Sequence, residues 1–371
     1  MSKVVHRKKR LSSFKLIVLG FAAVIFVGAL LLMLPVSSVS GTQTPFHEAL
    51  FTSVSAVCVT GLVVQDTGSY WSSFGQTVIL LLIQTGGLGV ITVAVSFAIL
   101  SGRKISLMQR STMQDAISAP KIGGIVRLTK FSVQGTLFIE LLGMTAMLPV
   151  FFRDYGIKGI WMAAFHSVSA FCNAGFDILG TEGHRFVSLS GHGDNIWLNM
   201  VIMLLIIIGG IGFLTWEDFY TNKFKFKRYR MQSKIILLTT AILIFVPAIF
   251  FFVCDFGQVS IGKRTLLSLF QSVTTRTAGF NTADLSSMTE AGQAIMILLM
   301  LIGGSPSSTA GGMKTTTAAA LLLNAFATFR SREDAGAFGR RFDGQVIKNA
   351  ATIAMLYFVL FFFGGITISV Y

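Results

Sequence analysis

The chain has 371 residues, of which 53% are hydrophobic and only 12% are charged, and its formal net charge is +14. A soluble protein carries roughly 25% charged residues, so this composition excludes an ordinary soluble domain. A strongly basic chain can indicate nucleic-acid binding, but here most lysines and arginines lie in short segments between long apolar stretches. That distribution is typical of a membrane protein, and we expect no nucleic-acid partner.

Seven apolar stretches are long enough, singly or as a broken pair, to cross a bilayer, which takes about 20 residues. In chain order they are 12–34, 76–100, 131–152, 196–216, 235–254, 293–302 with 312–325, and 346–370. Alternation of these spans places the basic tail 1–11 on the same side as the basic segments 103–130, 223–234 and 330–348. Basic loops face the cytoplasm, so the sequence predicts a multi-pass protein of the cell membrane with a cytoplasmic N-terminus.

Three short segments of the chain are versions of one another, and they recur at intervals of roughly 110 residues. They are Ser53–Leu62, Ser167–Phe176 and Ser272–Phe280, and each closes with a glycine and an apolar residue between two spans. This pattern predicts short helices at 45–58, 160–172 and 262–275, each followed by a glycine turn. Each repeat crosses the membrane twice, so successive repeats run in the same direction and can surround one axis.

The predicted fold is therefore all-α and integral to the membrane, with span–pore helix–span units around a pseudo-fourfold pore. The predicted divisions are a basic tail at 1–11, pore units at 12–130, 131–234 and 235–345, and the first span of an incomplete fourth unit at 346–371. Re-entrant backbone at membrane depth must be buried in protein or line a water-filled cavity. Turns that converge on one axis can satisfy this condition together.

The residues of the glycine turns are uncharged, which is what coordination of a dehydrated cation by backbone carbonyls requires. Because the turns carry no Asp or Glu, a carboxylate ring of the calcium-channel type is not expected. The alternative is that the glycines only reverse the chain. The predicted K+ filter consists of Val59, Thr60, Gly61, Asn173, Ala174, Gly175, Thr277, Ala278 and Gly279.

The sixth span is interrupted by a run of glycine, serine and proline that breaks a helix. A polar break at membrane depth is costly unless it faces water, so we interpret it as a mobile gate loop under the filter, with a simple kink as the alternative. The predicted gate loop consists of Gly303, Gly304, Ser305, Pro306, Ser307, Ser308, Thr309, Ala310, Gly311 and Gly312.

Two charged residues fall inside predicted spans, Lys314 and Glu140. Each needs a partner or a water-filled cavity, and the sequence leaves two interpretations open, hydrogen bonding inside the bundle or coupling to an ion. The chain offers no arrangement of nucleophile, histidine and acid, and no metal-ligand spacing. We therefore expect no catalytic residues, no enzymatic activity and no metal site other than that for K+.

Five motifs together resemble the Trk/Ktr/HKT superfamily of potassium transporters over almost the whole chain. They are Val59–Leu62, Asn173–Phe176, Arg276–Phe280, Gln84–Gly89 and Gly303–Lys314. The short basic tail before the first span makes the Ktr-type membrane subunit the most similar branch. The resemblance implies K+ uptake, a gate at Gly303–Gly312, and a homodimer on a cytoplasmic nucleotide-binding regulatory ring. It implies no cofactor within this chain and leaves open whether Na+ stimulates transport.

The sequence departs from the family pattern after the seventh span, where the fourth pore helix, its glycine turn and the last span have no counterpart. A pore of three turns would have one open side. The alternative function is therefore a truncated, non-conducting membrane scaffold that binds the regulatory ring.

Overall fold

The structure is a computed structural model that describes residues 12–101, 105–117, 123–332 and 334–370. The predicted basic tail 1–11 lies outside the described residues, as do parts of the first basic segment. The α-helices are α1 (Ser13–Leu32), α2 (Phe46–Val57), α3 (Ser73–Leu88), α4 (Val90–Leu100), α5 (Leu107–Ile117), α6 (Ile125–Tyr155), α7 (Lys158–Phe171), α8 (Ile196–Gly210), α9 (Phe213–Asn222), α10 (Met231–Cys254), α11 (Ile261–Thr274), α12 (Glu290–Leu301), α13 (Thr315–Phe329) and α14 (Gly344–Ser369). A two-stranded hairpin pairs β1 (Gly336–Ala337) with β2 (Arg340–Arg341).

Four of these helices, α1, α6, α10 and α14, are each long and apolar enough to cross a membrane. Their outward side chains include many exposed leucines, valines and phenylalanines, as expected for helices that face lipid rather than water. The first three of them each begin one sequence repeat, and α14 packs against α13. The all-α membrane fold predicted from the sequence is therefore confirmed.

The short helices α2, α7 and α11 lie within two residues of their predicted bounds and pack against α1, α6 and α10 respectively. One hydroxyl group fixes each short helix to its long neighbour by donating to a main-chain carbonyl. These bonds are Ser53 to Ile25 (2.7 Å), Ser167 to Glu140 (2.6 Å) and Ser272 to Ile244 (2.6 Å). The same bond at the same repeat position therefore fixes each short helix to the long helix of its repeat.

The second span of each of the first two repeats, predicted at 76–100 and 196–216, is not one straight helix. Helices α3 and α4 are bent by 99° at Gly89, and α8 and α9 are bent by 96° at Gly212. These glycines have φ angles of 85° and 90°, which only glycine adopts readily. Hydropathy could not reveal the bend because the apolar run continues through it.

Burial against other helices explains why the residues after the first bend are apolar. Helix α4 packs against α5 and α6. The small buried cluster between them consists of Val95, Met113, Ile125, Leu128 and Leu214.

In the third repeat the corresponding position is a loop, residues 302–314, which separates α12 from α13. Its two ends pair with each other, since the Gly303 amide donates to the Met313 carbonyl and the Gly304 amide donates to the Gly311 carbonyl, both over 3.0 Å. The α12–α13 loop is thus closed at its base, and its tip, residues 305–310, is available for contacts with the second repeat.

The main hydrophobic core surrounds the short helices and the turns that follow them. Its largest fully buried side chains include Phe165, Phe171, Phe176, Phe270 and Phe280. Close-packed aromatic rings behind a turn resist deformation, so the core gives the turns a rigid support.

Candidate functional site

The three glycine turns, turn 1 (residues 59–62), turn 2 (173–176) and turn 3 (277–280), share one backbone conformation. Left-handed φ angles occur at the glycines, with 79°, 70° and 88° at Gly61, Gly175 and Gly279. They also occur two residues earlier, with 55°, 57° and 63° at Val59, Asn173 and Thr277. Left-handed backbone at a residue with a side chain is uncommon, and its recurrence at the same repeat position shows that the sequence repeat encodes one specific turn.

Each turn directs its own amide groups back into the protein. The amide of the residue before each glycine donates to a carbonyl of the preceding short helix. These bonds are Thr60 to Ser55 (2.8 Å), Ala174 to Ser169 (2.8 Å) and Ala278 to Thr274 (2.9 Å). Among the described residues, none donates a hydrogen bond to the carbonyl oxygens of 59–61, 173–175 or 277–279. These oxygens are therefore available to a ligand.

The turns meet in sequence order. A Cβ atom placed on Gly61 would lie 2.5 Å from the carbonyl oxygen of Ala174, and one placed on Gly175 would lie 2.5 Å from that of Ala278. Each of these glycines thus packs against the backbone of the next turn, where a methyl group would not fit. The three turns that hold the nine residues predicted as K+ ligands therefore contact one another through Gly61, Gly175 and Gly279.

Hydroxyl groups behind turns 2 and 3 were not anticipated from the sequence. Ser169 donates to the carbonyl of Phe176, and Thr274 donates to the carbonyl of Phe280, both over 2.6 Å. The equivalent hydroxyl behind turn 1, that of Ser55, is buried without a hydrogen-bond partner among the described residues. The only feature of the sequence that could have indicated these hydrogen bonds is the presence of Ser or Thr at this position in all three repeats.

The tip of the α12–α13 loop docks into the bend between α8 and α9. The amide of Ser305 donates to the carbonyl of Gly210 (2.9 Å), that of Thr309 donates to Gly209 (3.2 Å), and that of Phe213 donates to Ser307 (2.7 Å). The bend in the second repeat therefore exposes the backbone groups that hold the loop of the third.

A cavity of about 370 Å³ lies between this loop and turn 1. Its lining includes Val57–Val59, the α3–α4 bend at Gly86–Gly89, Phe213, and Ser307–Gly311 of the loop. The tip of the α12–α13 loop thus borders the space next to turn 1.

Lys314 and Glu140 each have a hydrogen-bond partner inside the bundle, and they are not paired with each other. The Lys314 ammonium donates to the carbonyl of Ala310 (2.8 Å). The Glu140 carboxyl accepts from the Gln84 side-chain amide (3.2 Å), and the Cys172 thiol lies 4.0 Å away. Gln84 belongs to the first repeat, so this polar group joins two repeats within the membrane.

Two acidic residues follow the turns in loops outside the helices. The Asp66 carboxylate accepts hydrogen bonds from the amide and hydroxyl of Ser69 and from the amide of Phe186, each over 2.8 Å. It therefore joins the loop after turn 1 to the loop after turn 2. Burial raises the pKa of Asp177 to about 6, and the nearby charge of Asp66 acts in the same direction, against the Leu179 amide that donates to Asp177.

In the described part of the chain, no group of three or more His, Cys, Asp and Glu residues could hold a metal ion. The site instead offers backbone carbonyl oxygens that accept no hydrogen bond from the described residues, and they lie next to a cavity bordered by the α12–α13 loop. Carbonyl oxygens replace the water shell of monovalent cations.

Comparison with known proteins agrees with this chemistry. The family described as cation transport protein, TrkH, matches residues 12–370. The chain belongs to this family. It is therefore a membrane-spanning member of a family of cation transporters, which is not a family of enzymes.

Two relatives and one solved structure illustrate the similarity. The chain is 38% identical to the potassium/sodium uptake protein NtpJ of Enterococcus hirae, over 93% of this chain and 76% of that protein. It is 35% identical to the Ktr system potassium uptake protein B of Bacillus subtilis, over 96% of this chain and 80% of that protein. The crystal structure of the potassium transporter TrkH from Vibrio parahaemolyticus matches the fold with a TM-score of 0.72 at 20% identity, over 96% of this chain and 72% of that one.

Proposed function

We propose that this chain is the ion-translocating subunit of a Ktr-type potassium uptake system in the cell membrane. The observation that carries the proposal is the meeting of three turns whose carbonyl oxygens have no donor among the described residues. The names of the relatives, a potassium/sodium uptake protein and Ktr system potassium uptake proteins, support K+ as the ion. The NtpJ name also supports Na+ as a second ion that the system transports or responds to.

Turns 1 to 3 form the K+ filter in this proposal. A dehydrated K+ ion is coordinated by the carbonyls of 59–61, 173–175 and 277–279, and the left-handed glycines allow the backbones to approach it closely. The left-handed residue two positions before each glycine and the hydroxyl supports of turns 2 and 3 keep the oxygens in place. Selectivity follows from the number and rigidity of these oxygens.

Residues 303–312 act as the gate. The tip of the α12–α13 loop borders the cavity beside turn 1 and is held by backbone hydrogen bonds to the α8–α9 bend. These bonds are few and reversible, so the loop can leave the bend without unfolding a helix. Deleting the loop should raise K+ flux into proteoliposomes, and unaltered flux would mean that the break is only a kink.

The assembly follows from the same proposal. The basic segments 223–234 and 330–348 face the cytoplasm, where a regulatory ring that binds nucleotides docks on a homodimer of this subunit. The term Ktr system in the relatives' names supports a transporter of several components. Units 12–130, 131–234 and 235–345 each supply one turn, and 346–371 supplies the first span of a fourth unit.

Growth at low K+ of a bacterial strain without its own K+ uptake tests the proposal. The full-length protein should restore growth, and Gly61→Ser should raise Na+ uptake relative to K+ uptake. Gly41→Ser is the matched control, because Gly41 also has a left-handed φ of 67°, yet a Cβ atom at this position would meet no described atom within 4 Å. Binding of the regulatory ring without any K+ uptake would instead support the scaffold alternative.

A further inference from the structure

We propose that Asn173 and Thr309 form a positioning pair that makes the shape of turn 2 depend on the docked α12–α13 loop. The inference rests on the proposed function, in which turn 2 coordinates K+ and the loop is the gate. It adds that the gate and the filter are joined directly, so that ion selectivity changes when the loop leaves its docked position.

The pair is a buried hydrogen-bonded junction between residues 136 positions apart. The Asn173 side-chain amide donates to the Thr309 hydroxyl over 3.0 Å. The same hydroxyl donates to the carbonyl of Phe171, the last residue of α7, over 2.8 Å. Asn173 and Thr309 are only 1% and 5% exposed, so water does not replace either partner in the docked state.

Turn 2 is sensitive to this junction because Asn173 is one of its left-handed residues, with a φ of 57°. Its side-chain amide also donates to the Phe171 carbonyl over 3.3 Å, so the side chain closes the turn onto the end of α7. Withdrawal of Thr309 would leave a buried amide and a buried carbonyl without their shared hydroxyl. Buried polar groups that lose a partner are costly, so turn 2 must adjust when the loop leaves.

The other turns have no equivalent junction among the described residues. Val59 occupies the position of Asn173 in turn 1 and has no polar side-chain atom. Thr277 occupies it in turn 3, and its hydroxyl has no hydrogen-bond partner in the described part of the chain. The link between gate and filter is therefore specific to turn 2, and a change there alters one part of the coordination shell while the others keep their support.

The test compares two loop substitutions in the full-length protein. Thr309→Val keeps the shape of the side chain and removes both hydrogen bonds, whereas Thr309→Ser keeps the hydroxyl. Ser308→Ala is the matched control, because the Ser308 hydroxyl donates to the Ser305 carbonyl within the loop and not to a turn. Two ratios are measured. The first is the K+ flux into proteoliposomes divided by the Na+ flux. The second compares the K+ and Na+ concentrations that give the same increase in the melting temperature of the purified protein.

We expect Thr309→Val to change both ratios by about fivefold in the direction of lower K+ preference, the size of effect that loss of a buried hydrogen bond gives. Thr309→Ser should restore them to within about twofold, and Ser308→Ala should change total flux without changing either ratio. Asn173→Gly keeps the left-handed backbone and removes the amide. It should reproduce the loss, so the test stands even if Thr309→Val does not fold.

Two results overturn the inference, and they are distinguishable. In the first, Thr309→Val and Asn173→Gly leave both ratios unchanged, while Gly61→Ser still changes them. The loop is then docked on turn 2 without controlling its selectivity. If Gly61→Ser also leaves the ratios unchanged and K+ does not stabilise the protein, the turns are not the ion site. The proposed function then fails together with the inference.

Discussion

Gly175 and Gly279 occupy the same position in the sequence repeat and share a left-handed backbone, yet their surroundings differ. A methyl group on Gly175 would lie 2.5 Å from the carbonyl oxygen of Ala278 and 3.0 Å from the Cα of Gly279. A methyl group on Gly279 would meet, among the described residues, only the Cα of Gly175 at 3.3 Å. Gly61 resembles Gly175, because it packs against Ala174 of the next turn.

This difference shows that a turn can require glycine for two separate reasons. The left-handed φ is a property of the turn itself and recurs in all three copies. The close approach is a property of the neighbouring turn and holds only where one glycine packs against the next backbone. The glycine of the repeat therefore satisfies both constraints in turns 1 and 2, whereas in turn 3 the left-handed φ dominates and the contact is milder.

Alanine substitution should separate the two constraints with the largest effect. Gly175→Ala adds backbone strain and displaces the Ala278 carbonyl, so we expect K+ uptake to fall by about tenfold or more. Gly279→Ala adds the strain and only the milder contact with the Cα of Gly175 at 3.3 Å, so uptake should fall only about two- to threefold. Rubidium uptake, normalised to the amount of protein in the membrane, measures both, and equal losses would show that contact between turns does not matter.

Removal of the hydroxyl supports should have a smaller effect and should distinguish turn 2 from turn 1. Ser169→Ala removes the bond to the Phe176 carbonyl, which is worth about 1 kcal/mol. We expect a lower melting temperature in detergent and weaker stabilisation by K+. Ser55→Ala removes a hydroxyl without a partner among the described residues, so it should be neutral. Equal destabilisation by both would contradict the difference between these turns.

The residues that follow the three turns differ in charge, which predicts a modest dependence of K+ uptake on pH. Asp177 follows turn 2, whereas Val63 and Asn281 occupy the same position after turns 1 and 3. Because the pKa of Asp177 is raised to about 6, its negative charge is present above that pH and attracts cations. The apparent affinity for K+ should fall by about two- to fivefold as the pH drops through 6, and Asp177→Asn should abolish this step.

The stability of the folded protein should change in the opposite direction. Burial favours the protonated carboxyl of Asp177, so its contribution to the free energy of unfolding is complete below the ordinary pKa of about 4. That contribution is lost as the pH rises through about 6. Asp177→Asn should therefore raise the melting temperature at pH 8 and leave it unchanged at pH 4. The same shift at both values would assign the effect to something other than the charge.

The smallest effect is expected at Thr277, whose buried hydroxyl has no partner among the described residues. Thr277→Val keeps the shape and removes a polar group that gains nothing from burial. We expect an unchanged or slightly higher melting temperature and unchanged K+ uptake. A clear loss of uptake would show that this hydroxyl contacts the ion or its water, in which case turn 3 contributes more than backbone carbonyls.

Local features of the sequence predicted much of this architecture. The recurring segments located α2, α7 and α11 and the turns, because each copy is one contiguous stretch whose short helix and glycine turn depend on residues close in the chain. The bends at Gly89 and Gly212 were missed, since an apolar run has the same hydropathy whether it faces lipid or a neighbouring helix. The contact between Asn173 and Thr309 has no local signal, because it depends on a loop of the third repeat reaching into the second.

The hydrogen bond between Gln84 and Glu140 has a consequence for how the protein enters the membrane. A carboxyl group in the middle of an apolar helix is costly to transfer into lipid on its own. Gln84 precedes Glu140 by 56 residues, so the ribosome releases α3 before α6. We therefore expect insertion of the second repeat to depend on correct insertion of the first, which supplies the amide that accommodates the carboxyl.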